Sequence, residues 1–426
     1  MSPVRAALAG LTTRGRCLLT TGLTLLVCAL LLDQRDLLRA AVFLLALPLC
    51  ALAVVARTRY RLTATRQLDP VRVEVGRPTT VALQLRNVSR LPTGVLLVED
   101  QLPYPLGDRP RFVLDRIPPG TGQQVHYLIQ APARGRYRIG PLSVRLTDPF
   151  GLCELPHAFT AVDDLVVTPV VTPLPRLGLG GDWLGGGEAR TRSIASAGSD
   201  DIATREYRYG DDLRKVHWKS TARVGELMVR QAEPPQQSRA TLLLDTRTDA
   251  HRGSGPGSSF EWSVGATASL GVALGQAGFG LRLLRADGTP VAGPSAGLTE
   301  GILLDALAAL EPDRQRTLEP AVTGLRRSGA EGVLIAVLGI VDLPDAARLA
   351  RLATGTGTCI ALLLDADGWA PVNPRARAAA EQTHREVARL LAAAGWRVLP
   401  VTPGASLAAL WPLAGHRSAR GRAAQR

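Results

Sequence analysis

The densest concentration of chemically capable side chains in this chain is REYRYGDDLRKVHWKSTAR, Arg205 to Arg223, which continues through Met228 and Val229 to Arg230. It interleaves charges of both signs with Tyr207, Tyr209, His217 and Trp218 around the turn Gly210-Asp211-Asp212. An Asp–His pair could do acid–base work, yet nothing else assembles around it at a catalytic spacing. Stacked and bidentate ion pairs suit the set better: arginines such as Arg205, Arg214 and Arg223 with Asp211, Asp212 and Glu226, beside Tyr207 and Trp218. With Gly210, His217 and Ser220, these residues read as a partner-binding or domain-joining segment. Asp211 or Asp212 is expected to N-cap a short helix from Leu213 toward Ala222, and Leu227 to Val229 to form a strand leading into the following sheet.

Two other patterns invite chemistry. Gly293-Pro-Ser-Ala-Gly297 fits the Gly-x-Ser-x-Gly nucleophile pattern, and Ser295, Asp365 and His384 follow the order of a hydrolase triad. Against it, the preceding Asp287 to Pro290 is turn-like and His384 lies in a helical stretch, so the serine hydrolase is the alternative reading. Glycines from Gly178 to Gly187 lack the Gly-Lys-Ser/Thr ending of a phosphate loop.

Acids close several predicted strands: Asp245, Asp342, Asp365 and Asp367. Asp245-Thr-Arg-Thr-Asp249 resembles the Asp-x-Ser-x-Ser site of von Willebrand factor A domains, where the Asp and two hydroxyls hold Mg²⁺ or Mn²⁺ with a later Thr and Asp. Asp245 matches, and Thr299 and Asp342 fall at later positions. Arg247 and Asp249 replace both serines, and an arginine sets positive charge where a hard cation would need oxygen ligands. No cofactor is therefore expected, and Asp245, Thr299 and Asp342 stand as the metal candidates.

These groups need elements to hold them. Ala240 to Asp245, Leu281 to Leu284, Gly332 to Leu338, Thr358 to Leu364 and Trp396 to Leu399 are apolar runs alternating with helical stretches. That is the pattern of a doubly wound parallel α/β domain, placed at 238–404. Upstream, from 61 to 171, period-two runs such as Val71 to Val75, Val81 to Leu85 and Leu142 to Leu146 are separated by Pro/Gly turns. They predict an antiparallel β-sandwich of immunoglobulin or fibronectin type. A linker with the dense segment occupies 172–237, and a basic tail 405–426.

The first 60 residues carry two uncharged runs, Cys17 to Leu32 and Ala40 to Ala56, around the polar turn Asp33 to Asp36. They predict a transmembrane helical hairpin. Arg5, Arg14 and Arg16 precede it and Arg57, Arg59, Arg61 and Arg66 follow it, so both ends are expected on the cytoplasmic side of the inner membrane. No C-x-x-C or zinc spacing joins Cys17, Cys28, Cys50, Cys153 and Cys359. The net charge of +13 calls for an anionic partner. The membrane anchor and the acids of the dense segment argue against nucleic acid, and Arg417, Arg420, Arg422 and Arg426 of the tail suit anionic lipid.

Arg205 to Arg223 with Leu227 to Arg230 resembles the signature of the bacterial family called domain of unknown function 58. Arg134-Gly-Arg-Tyr-Arg-Ile-Gly-Pro-Leu142 and Asp148-Pro-Phe-Gly-Leu152 are similar to its second characteristic stretch. The resemblance implies a von Willebrand factor A-like C-terminal domain. It also implies partnership with a MoxR-type AAA+ ATPase, beside which such proteins are commonly encoded. The expectation is thus a non-enzymatic, membrane-anchored adaptor acting in complex assembly or envelope-related maturation.

Overall fold

The structure is a computed structural model that describes residues 10–57, 62–90, 92–147, 150–175, 204–207, 216, 218–230, 239–291, 298–328, 332–353, 357–370 and 373–415. It divides into two compact units, Met1–Thr168 and Pro169–Arg426.

The first unit begins with helices α1 (Thr13–Leu32) and α2 (Arg35–Arg57), joined across Asp33, whose φ of 49° lets the chain reverse. Gly22 of α1 lies so near Leu44 and Leu45 of α2 that a Cβ there would press on both, which is why this position is glycine. Helix α1 is long and apolar enough to cross a membrane. Leu30, Leu31 and Leu32 on α1, and Phe43 on α2, are exposed.

The predicted β domain follows as β1 (Leu62–Asp69), β2 (Arg72–Glu74), β3 (Pro78–Asn87), β4 (Val95–Asp100), β5 (Arg111–Leu114), β6 (Gly122–Gln130), β7 (Gly135–Ile139), β8 (Leu142–Thr147), β9 (Glu154–Ala158) and β10 (Asp163–Thr168). Its sheets run β1-β3-β6, β2-β10-β7 and β5-β4-β8-β9. All pairs are antiparallel except β2 with β10. Alternate residues of β3 (Val81, Leu83, Leu85) meet Leu96 and Val98 of β4, Val144 of β8 and Leu165 of β10 in one core. Within this unit Arg66 is almost wholly buried, bridging Asp100 at 2.6 Å and Asp163 at 2.7 Å, while the Tyr127 hydroxyl donates to Asp100 at 2.6 Å.

In the second unit, β11 (Thr204–Glu206) pairs antiparallel with β12 (Met228–Arg230), and α3 (Trp218–Val224) lies between them in sequence. The main sheet is wholly parallel: β13 (Arg239–Leu244), β14 (Gly280–Leu284), β15 (Val333–Leu338), β16 (Thr358–Leu364) and β17 (Arg397–Val401), in spatial order β14-β13-β15-β16-β17. Leu242 and Leu244 of β13 enter the core beneath α4 (Ser259–Gln276) and α5 (Glu300–Ala308). Leu243, pointing the other way, enters the opposite core with α6 (Glu319–Ser328), α7 (Leu343–Ala350) and α8 (Pro374–Ala393). Burial on both faces is why these strands read as continuous apolar runs. Gly332 enters β15 at φ 91°, where a Cβ would strike the Arg239 carbonyl at the start of β13. The first part of the expected tail is folded: Leu407, Trp411 and Ala414 are buried in the core beneath α4. Residues 416–426, with the four tail arginines, lie outside the described residues.

Candidate functional site at the carboxyl ends of the parallel strands

Chain order around β13 reverses direction between β14 on one side and β15 on the other, and doubly wound sheets bind ligands in the crevice beyond the carboxyl ends at such a point. Asp245 follows β13 there and is fully buried. Its Oδ1 accepts from the Arg247 backbone N–H (3.2 Å) and from Arg247 Nε (2.9 Å). Its Oδ2 accepts from Arg247 Nη2 (2.8 Å) and from the Gly339 N–H just past β15 (3.2 Å).

The same guanidinium reaches three further acceptors around Asp245. Nη1 donates to Asp345 Oδ2 at 3.1 Å and to the Arg316 carbonyl at 3.3 Å, and Nη2 also donates to the Ile340 carbonyl at 2.9 Å. An arginine has five N–H donors, and these contacts use all of them. Burial opposes the Arg247 charge, but Asp245, Asp345 and Asp342 more than offset it and raise its pKa above the ordinary arginine value. The fully buried Asp345 is likewise saturated, taking the Leu318 N–H at 3.0 Å and Arg348 Nη1 at 2.9 Å.

Around this pair the polar groups are closed in turn. Thr246 donates its hydroxyl to Asp313 and accepts the Ala286 N–H at 3.2 Å. His251 sets Nε2 2.8 Å from the Asp245 carbonyl, which fixes the Nε2–H tautomer, and Nδ1 3.2 Å from Ser259 Oγ. Burial lowers the His251 pKa, against the opposing pull of Asp245, so the ring is neutral.

The fit of this site to Mg²⁺ or Mn²⁺ fails on its donor set. Both oxygens of Asp245 are engaged by N–H groups. Asp342 Oδ1 caps α7 by accepting the Asp345 N–H at 2.8 Å, and Thr299 stands at the N-terminus of α5. The guanidinium of Arg247 holds the position where such a cation would be bound between Asp245 and its neighbours.

The dense segment is described in part. Gly210, Asp211, Asp212, Arg214 and His217 lie outside the described residues. Arg205 is in β11, facing Val229 of β12, and the Tyr207 N–H bonds the Leu227 carbonyl at 2.8 Å. The expected helix from Leu213 is corrected: α3 begins at Trp218, and Val216 instead forms an isolated bridge to Val229. The expected strand also joins β11 in its own two-stranded sheet rather than the parallel one. Thr221 accepts the Met228 N–H at 3.0 Å, and Gly225 takes φ 83° to end the helix, so this hairpin-like unit is locally tied. Trp218 is 70% exposed, and the expected ion-pair partners Asp211, Asp212 and Arg214 lie outside the described residues. Ser220 is half-buried and Arg223 exposed on the same helix.

The triad order does not assemble within the described residues: Ser295 lies outside them. Asp365, past β16, lies 3.9 Å from Arg377, and His384 sits on α8 with its pKa lowered by burial. Sequence reasoning saw Arg247 only as a disruption, and missed Asp345 and His251. The Asp245-x-Arg247 spacing carried part of the signal, since a bidentate pair can close over two residues. Asp345, 98 positions away, had none.

Comparison with known proteins agrees with the signature. The chain is 24% identical over 223 residues to "Uncharacterized protein YeaD" of Bacillus subtilis (strain 168), covering 49% of this chain and 51% of that protein, so it spans about half the length of its relative. Among solved structures, similarity extends to the CARDB domain of the PF1109 protein from Pyrococcus furiosus, at 16% identity over 25% of this chain and 93% of that one, with a TM-score of 0.19. It also extends to the putative ApaA protein from Bordetella pertussis, at 13% identity over 25% and 94%, with a TM-score of 0.20. These two likenesses are too slight to bear on the fold. Residues 203–366, running from β11 through the closed Asp245–Arg247 site to the end of β16, match the family described as "Protein of unknown function DUF58".

Proposed function

We propose that this protein is a non-enzymatic, membrane-anchored adaptor that binds other proteins, with a MoxR-type AAA+ ATPase as its partner in complex assembly or envelope-related maturation. Two spans hold it in the inner membrane with both units on the cytoplasmic side. The observation that carries this reading is the closed site. In a doubly wound domain the crevice beyond β13 and β15 is where substrate or metal would enter, and here the protein's own guanidinium fills it with every donor used. The C-terminal domain then serves as a von Willebrand factor A-like scaffold without that fold's metal chemistry.

Recognition falls to the surface, where the family segment presents Trp218 70%, Val224 58% and Leu227 40% exposed. Tryptophan and arginine are the residue types that most often anchor protein interfaces, and Val224 and Leu227 add apolar surface beside Trp218 in sequence. The test is a crosslinking pull-down of the full chain from native membranes. An AAA+ ATPase is the expected co-purified protein, and Trp218→Ala is expected to abolish its recovery while leaving thermal unfolding unchanged. Recovery of the ATPase undiminished by Trp218→Ala removes this surface from the account, and its absence from the wild-type pull-down removes the partner.

A further inference from the structure

The characteristic Asp148-Pro-Phe-Gly-Leu152 stretch has no place in the closed site, and its described part lies against the start of α1. Thr12, the N-cap of α1, donates its hydroxyl to the Gly151 carbonyl at 2.7 Å and its N–H to the Leu152 carbonyl at 2.9 Å. One step along, Leu11 bridges Cys153, and the Glu154 N–H bonds the Gly10 carbonyl at 2.7 Å. Gly15 completes the fit, because a Cβ there would run into the Leu152 carbonyl. Leu11, Leu152 and Cys153 are buried together with Ala51 of α2, and Leu18 and Leu47 pack on them. The turn and the first helix are therefore one rigid piece.

That attachment sets a depth. Helix α1 has 20 residues. At 1.5 Å per residue it is about 30 Å long, the thickness of the hydrocarbon layer, so its first turn marks one boundary of that layer. Leu152 touches Gly15 in that turn and lies at the same level. Phe150, 67% exposed, projects two residues away. Arg14, whose guanidinium lies 3.8 Å from where a Cβ of Gly151 would stand, and Arg16 are exposed in the first turn of α1, which contains no acid. Among the described residues, the acid that follows the turn, Glu154, is paired with Arg145 at 3.3 Å. An exposed aromatic ring and two exposed arginines at this depth match the layer of lipid headgroups and upper acyl chains.

We propose that the turn Phe150 to Cys153 is a membrane-interface anchor, in which the Phe150 ring enters the headgroup layer and Arg14 and Arg16 meet lipid phosphates. The occupant of this surface is the bilayer itself. The inference rests on α1 spanning the membrane, and its test separates the two. A genetically encoded fluorescent amino acid is placed in the full chain at Phe150, or in a second variant at Leu23 in the middle of α1. Each variant is reconstituted in phosphatidylcholine–phosphatidylglycerol vesicles carrying a nitroxide at the headgroup, the upper acyl chain or the lower acyl chain.

The expected result is loss of most emission at position 150 with headgroup and upper-chain nitroxides, and at position 23 with the lower-chain nitroxide. Quenching at 23 without lipid quenching at 150 overturns the anchor and leaves the span standing. If 150 is then shielded from aqueous iodide as well, a protein covers it instead, either a second copy or a partner. No lipid quenching at 23 overturns the span and the anchor with it.

Discussion

Arg247 shows how one side chain can decide what a site does. It is 4% exposed, between the fully buried Asp245 and Asp345. Removing it strands buried Asp245 and leaves Asp345 with Arg348 alone, so Arg247→Met is expected to cost about 3–5 kcal/mol, read by urea unfolding of the full chain in detergent. Arg247→Lys is expected to destabilise as well, because a compact ammonium cannot reproduce the planar fork. A loss below about 1 kcal/mol for Arg247→Met would mean that the pair is open to water. His251 gives a second residue-scale expectation. Burial lowers its pKa and that of His384 below the ordinary 6.5, so both are neutral in the folded protein. Below that pH the unfolded chain binds protons that the folded chain refuses, and stability then rises with pH. The contribution is complete above about pH 6.5 and is lost as pH falls toward the folded-state values. Unfolding midpoints measured from about pH 7.5 down to 5 should fall with acid, and the His251→Gln, His384→Gln double variant should flatten the decline.

At the scale of elements, the sequence was legible wherever local pattern and final environment agree. The runs at Ala240, Gly332 and Thr358 became β13, β15 and β16 because strands buried on both faces must be apolar throughout. Thr299 stands at the start of a helix as expected, although its side chain makes no capping bond. Pattern failed where a distant partner decides. Asp211 and Asp212 suggested a helix start that Val216 contradicts by bridging Val229, and the closed site needed Leu318, Ile340 and Asp345, which no local spacing joins to Asp245. The docking of α1 on the Gly151 turn was equally hidden, since Thr12 lies 139 residues from Gly151. That contact yields its own expectation. Gly15→Val forces α1 off Leu152, so hydrogen exchange at the Thr12 and Glu154 amides should accelerate while exchange in β13 does not change. Unchanged exchange at both amides would show that the turn does not hold the helix.

Over the whole molecule, a chain of net charge +13 forms two units with separate cores, and the first begins with the apolar helix pair. Arginines flank the pair, which sets the sidedness of the proposed anchor. With the native cysteines replaced, a membrane-impermeant thiol reagent applied to intact spheroplasts should label a cysteine at Gln34. It should label one at Leu413 only after lysis. Labelling at Leu413 in intact spheroplasts reverses the orientation, and protection at Gln34 removes the second span. What the fold does at its ligand-binding end is the centre of the account, and a metal titration addresses it most directly. Thermal unfolding of the purified chain, followed from chelator to millimolar Mg²⁺ or Mn²⁺, should show no shift, because Arg247 and Arg348 already neutralise Asp245 and Asp345. A stabilisation of about 2.7 kcal/mol, the mark of a cation at about a hundred times its Kd, would contradict the closed site.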